Sequence, residues 1–167
     1  MAGYDPWTYA ERYKTEHTHQ IALFMWANMA CLFGLTAANV PESYTVKGEA
    51  IKQLHYNNDG IPQLKWLHAI HNQGHGDKVR GAQAKAEGVK AGVFDLFLPV
   101  PVRAQRADPY SIIWKCGLYL ELKVGSNKPS DKQNEFSVDM QAAGYATAVA
   151  WGWLEARDKI LQYLGLT

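Results

Sequence analysis

At 167 residues, with 47% apolar and 12% aromatic content, the chain is long enough to bury one core without disulfide or metal staples. The net charge of +1 is unevenly placed. Between Lys78 and Lys128 nine Lys/Arg stand against four acids, while the remainder holds eight basic and twelve acidic residues, a split that suits a polyanion contact on one side. Cys31 and Cys116 lie in apolar stretches without metal spacing and read as reduced core thiols of an intracellular protein.

In chain order, residues 1–13 are polar and aromatic and carry no signal-peptide pattern; Tyr4, Trp7, Tyr9 and Tyr13 are expected to pack a leader onto the domain. Residues 15–33 follow a helical pattern that Thr15 can cap, with Ile21, Ala22, Met25 and Met29 at three- and four-residue spacing. The apolar run at 21–35 is interrupted by Asn28 and reads as a core helix, not a membrane span. Glu16 and Gln20 share a face near its start, although an acid there also suits the helix dipole.

Residues 34–63 are turn-rich, with a short helix expected at 48–55, and carry no chemistry of their own. Residues 64–70 read as a strand running into the glycine-rich loop 71–77. His68, His71 and His75 invite a zinc reading, but no cysteine cluster accompanies them, and donation to phosphate or solvent is favoured. A helix follows at 77–87, then a strand at 93–98 in which Asp95 interrupts an apolar run. Residues 99–110 read as a hairpin connection and 111–124 as the next strand. Ser130 and Gln133 have capping-box spacing at the head of a helix through Ala143, with Gly144 ending it. A buried strand at 145–151 and a helix at 154–164 complete an α/β arrangement with a mixed sheet.

Within 117–124, alternation places Leu120, Leu122 and Val124 on one face and Tyr119, Glu121 and Lys123 on the other. Alone, Glu-x-Lys reads as an ion pair on a wet strand face. Asp95 on a strand one connection upstream, and Glu16 on the first helix, change that. Buried charges are costly unless paired or bound to metal, and converging carboxylates with a lysine suit Mg²⁺, an oxygen-seeking ion that binds through one or two carboxylates, water and phosphate. Lys123 has three open roles: positioning water, deprotonating it, or stabilising transition-state charge.

Asp95 followed by Glu121-Leu122-Lys123 resembles the Asp…Glu-x-Lys signature of the PD-(D/E)XK nucleases, and more narrowly the VRR-NUC (virus-type replication-repair nuclease) domain in its small stand-alone phage form. Supporting stretches are Glu16-His17-x-x-Gln20-x-Ala22-Leu23-Phe24-x-Trp26-Ala27, His71-Asn72-x-Gly74, Gly88-Val89-Lys90-Ala91-Gly92-Val93-x-Asp95-Leu96-Phe97, Gly144-Tyr145 and Gly152-Trp153-x-Glu155-Ala156. The resemblance covers about 15–165 of a single domain spanning 1–167, with an insertion at about 36–62.

It implies a restriction-endonuclease-like α/β core, a mixed β-sheet flanked by helices, and a Mg²⁺-dependent DNA endonuclease (Mn²⁺ substituting) that acts on branched DNA such as Holliday junctions. Asp95, Glu121 and the Leu122 carbonyl would bind metal, Lys123 would be the catalytic lysine and Glu16 would complete the site, with Gln20 or Gln133 as accessories. Asn72, Lys90 and Lys128 would contact DNA phosphates. The resemblance further implies a homodimer in the cytoplasm of a bacterial host, without membrane or nucleotide cofactor. The alternatives are a catalytically silent DNA-binding module and a nuclease acting on flaps or nicked duplex. Two departures stand out: Phe94 replaces the proline usual before the aspartate, and the 36–62 insertion is long.

Overall fold

The structure is a computed structural model that describes residues 5–45, 59–70, 78–104 and 113–167. Helix α1 spans Pro6–Tyr13 because Asp5 caps it, accepting the Thr8 N–H at 2.8 Å, and because Pro6 needs no hydrogen bond at the first position. Helix α2 spans Glu16–Ala38 and starts at the expected cap, Thr15, which exchanges reciprocal bonds with Thr18. Its regular part ends as expected near residue 33. Gly34 has φ 80° and ψ 178°, and a Cβ there would lie 2.9 Å from the Asp59 carbonyl oxygen.

By composition α2 is apolar and long enough to cross a bilayer. Its Ala22, Leu23, Trp26, Ala27 and Ala30 instead enter the main core. There they meet Leu96, Leu98, Leu118, Leu120 and Leu122 from the sheet.

Four strands form that sheet: β1 (His68–Ala69), β2 (Leu96–Leu98), β5 (Leu118–Lys123) and β6 (Ala146–Trp151), in the order β1-β2-β5-β6. β1/β2 and β2/β5 are antiparallel, whereas β5/β6 is parallel with Lys123 opposite Trp151. Between β2 and β5 a ribbon of β3 (Val102–Ala104) and β4 (Ile113–Lys115) forms the expected hairpin. Helices α3 (Lys78–Ala86), α4 (Asp131–Ala142) and α5 (Trp153–Leu164) fall close to their expected bounds. The expected class, a mixed sheet flanked by helices, is the one observed.

The second face of the sheet carries a smaller aromatic layer. Phe97 stacks on Tyr119 at 4.3 Å between centroids, and Phe136 of α4 meets Tyr119 edge-on at 5.1 Å. Gly117 makes room for it, since a Cβ there would lie 2.6 Å from the Phe97 ring.

Four expectations need correction. Residues 64–70 are not one strand: Pro62–Trp66 is a 3-10 helix begun by a proline, and only His68–Ala69 pairs. The stretch 111–124 breaks at Cys116-Gly117, where the Cys116 N–H bonds the Gly144 carbonyl at 3.0 Å. In the N-terminal aromatic leader, helical in Pro6–Tyr13, Trp7 packs on the core as expected but Tyr13 is exposed. Cys116 is exposed and Cys31 only partly buried, so neither is a fully buried core thiol. The helix expected at 48–55 lies outside the described residues.

Candidate active site

Strand β2 stops pairing with β5 at Leu96–Leu120, so Asp95 stands just where β5 runs on without its antiparallel neighbour. The Leu122 N–H, left without a ladder partner on that edge, donates to Asp95 Oδ2 at 3.1 Å. In an extended strand the carbonyl of a residue faces the same edge as its N–H, so the Leu122 carbonyl faces Asp95 as well. The Asp95 backbone is fixed in turn, its carbonyl accepting from the Ile70 N–H at 2.7 Å.

Glu121 and Lys123 rise from β5 on the face opposite Leu120 and Leu122, as alternation requires. Glu121 is fully buried and Lys123 is 8% exposed. Lys123 Nζ and Gln133 Nε2 both donate to Glu121 Oε1. Gln133 also completes the capping box of α4, with its Oε1 accepting from the Ser130 N–H at 2.8 Å while its own N–H donates to Ser130 Oγ at 3.3 Å. The cap fixes which end of the amide faces Glu121. Capping and site contact are therefore two halves of one side chain.

Glu121 Oε2, by contrast, is buried and has no hydrogen-bond partner among the described residues. An unpaired buried acceptor costs roughly 1–3 kcal/mol. A purely structural ion pair would leave that cost in place; a bound cation would remove it.

The electrostatics agree. Burial raises the Glu121 pKa to about 7, against the bond from Lys123, and the Asp95 charge adds to the rise. Burial also raises Asp95, opposed by the Leu122 N–H and Lys123, with Glu16 pushing it further up. For Lys123 burial acts downward, but the bond to Glu121 and the charges of Glu121, Glu16 and Asp95 prevail, and its pKa is raised. Two carboxyls whose charged forms burial disfavours thus stand beside a lysine whose proton its acidic neighbours favour.

Glu16 stands within electrostatic reach of Asp95 and Lys123, and its Oε1 accepts from Asn127 Nδ2 at 3.2 Å. Gln20, one turn along α2, is half-buried, and no hydrogen bond described here joins it to the site. Lys90 and Lys128 are exposed. Lys90 lies in the turn closed by Gly92, whose absent Cβ would sit 2.6 Å from Lys132 Cβ at the head of α4. Asn72, His71 and His75 lie outside the described residues, while His68 is exposed on β1, its Nδ1 2.9 Å from the Trp66 carbonyl oxygen.

Among the described residues no three His, Cys, Asp or Glu side chains gather closely enough to hold a metal ion together, so Glu16 does not join Asp95 and Glu121 as a third ligand. Asp95 and Glu121, oxygen donors with one orphaned oxygen, fit Mg²⁺, which takes one or two carboxylates and fills the rest with water and phosphate. Sequence reasoning missed Asn127, Trp151 and His19, which bind the site's surroundings together across long sequence separations.

No protein-family model matches the chain, and no curated protein matches it. Among solved structures it is similar to one described as a VRR_NUC domain protein. The match has a TM-score of 0.57 and 22% identity, and covers 91% of this chain and 89% of that one. At that identity the likeness establishes the fold, which is the one the motif resemblance implies.

Proposed function

We propose that this chain is a Mg²⁺-dependent DNA endonuclease whose active site is Asp95, Glu121 and Lys123, completed by Glu16. The observation that carries this reading is the orphaned Oε2 of Glu121, buried on a carboxylate whose other oxygen Lys123 holds. The shared fold of a VRR_NUC domain protein supports it. Asp95 and Glu121 would hold Mg²⁺, with the Leu122 carbonyl on the same edge; Mn²⁺ would substitute. Bound there, the ion supplies positive charge that polarises the scissile phosphate and acidifies water.

The chain's own residues do the rest. Lys123, which its acidic neighbours help keep protonated, would donate to the phosphate as charge develops on its oxygens. Gln133 and Lys123 both hold Glu121 Oε1, which would leave Oε2 for the cation. Lys90, Lys128 and Asn72 would bind flanking phosphates. Branched DNA suits a homodimer that sets two such sites against opposing strands.

The test is a panel of labelled junction, flap, nicked and linear DNAs incubated with Mg²⁺, Mn²⁺ or EDTA. We expect metal-dependent cleavage favouring a junction, reduced on the order of 10²–10³-fold in Lys123→Ala and Glu121→Gln. Wild-type cleavage by both variants would overturn the assignment.

A further inference from the structure

A second set of hydrogen bonds ends on this site. Trp151 closes β6 as the register partner of Lys123, so both side chains leave the same sheet face one strand apart. The indole is 44% exposed yet fixed, its Nε1–H donating to the Asn127 carbonyl at 2.9 Å. Asn127 lies in the turn after β5, which its own N–H closes onto the Val124 carbonyl at 3.2 Å. Its side-chain amide then donates to Glu16 at 3.2 Å.

The far end of this chain is anchored as well. The Trp151 N–H goes to Glu155 Oε2 at 3.0 Å, the Gly152 N–H to the Lys123 carbonyl at 2.8 Å, and the Trp153 N–H to His19 Nδ1 at 3.2 Å. The turn is thus tied to α2 and β6 directly, and through Trp151 to α5.

Glu16 needs such a restraint. A glutamate at the start of a helix has three rotatable bonds, and Asp95 repels its charge while Lys123 attracts it, so electrostatics alone do not fix its place. We propose that Asn127 and Trp151 are positioning residues: the indole fixes the turn, and the turn's amide aims the Glu16 carboxylate at the Asp95–Glu121–Lys123 centre. This rests on reading that centre as a divalent-cation site.

Calorimetric titration with Mn²⁺ alone provides the test. Asn127→Ala keeps the carbonyl that Trp151 holds and removes the amide; Trp151→Phe keeps a ring and removes the donor. Each is expected to weaken Mn²⁺ binding about tenfold, the lower end for lost partners of metal-site side chains. On DNA, kcat is expected to fall while KM changes little. Because the amide acts through Glu16, Asn127→Ala combined with Glu16→Gln should bind Mn²⁺ no worse than Glu16→Gln alone.

Unchanged Mn²⁺ affinity in both single variants, or additive losses in the double variant, overturns the positioning role while leaving the centre intact. Absence of Mn²⁺ binding by the wild-type protein overturns the cation reading itself, and the inference with it.

Discussion

His19 stands on α2 but serves α5. The N-cap of α5 is Gly152, with φ 84° and no side chain to offer, and His19 Nδ1 accepts the Trp153 N–H in its place. A Cβ at Gly152 would lie 3.3 Å from that nitrogen. The ring must therefore be neutral with its proton on Nε2, and burial lowers its pKa from 6.5, partly offset by Glu11. A base depressed in the folded state contributes stability that is present above its unfolded pKa and is lost as pH falls below about 6.5 toward the folded value. The raised carboxyls of Asp95 and Glu121 act in the opposite direction, their protonation favouring the folded chain at low pH. Thermal melts of wild type and His19→Asn, which keeps an acceptor but cannot titrate, separate the two effects. The wild-type Tm should drop relative to the variant from pH 6.5 downward, and parallel profiles would show that the imidazole is not the cap. From sequence, Glu121 and Lys123 were legible because charge in an apolar alternation is conspicuous. Asn127 and His19 were not, because an asparagine in a turn is ordinary and their partners lie 111 and 134 residues away.

Among the elements, the seam between the turn at 88–92 and the head of α4 sets how the segment bearing Asp95, just before β2, meets the helix bearing Gln133. Gly88 and Gly92 both have φ +93°, but only Gly92 meets a neighbour, with Lys132 Cβ at 2.6 Å and its carbonyl at 2.8 Å from a built Cβ. Gly88→Ala should cost only backbone strain, about 1–2 kcal/mol. Gly92→Ala adds a clash with the helix backbone and should cost roughly 1–3 kcal/mol more, so its Tm should fall further by about 2–4 °C per additional kcal/mol. Equal losses would mean the seam yields easily. Helix boundaries were readable because caps are written locally, as Thr15, Ser130 and Gln133 show. The 3-10 helix at Pro62–Trp66 and the two-residue β1 were not, because a short apolar run does not declare its period, and the edge strand owes its pairing to Leu96 and Phe97 elsewhere in the chain.

For the whole molecule, the order β1-β2-β5-β6 explains why Glu121 on β5 meets Asp95: the expected strand 93–98 pairs only from Leu96, leaving Asp95 in the bend before β2 beside the unpaired edge of β5. The parallel β5/β6 pair was foreseeable from the helix between the two strands, whereas the break at Cys116-Gly117 depended on where the Phe97 ring would fall. A centre that keeps one buried oxygen unsatisfied should stabilise the entire fold when filled. At a cation concentration one hundred times Kd the gain is about 2.7 kcal/mol, or roughly 5–10 °C in Tm for a chain of this size. Scanning calorimetry with Mg²⁺ and with EDTA should show that shift in wild type and its loss in Glu121→Gln; a cation-independent wild-type Tm would count against the site.

Gln133 joins two events usually treated separately. The same amide closes the first turn of α4 and holds Glu121 Oε1. That turn cannot fray without loosening Glu121, and a cation bound there as proposed would hold the turn shut. Occupancy and helix initiation would then be one cooperative unit, with the first turn of α4 a latch on β5.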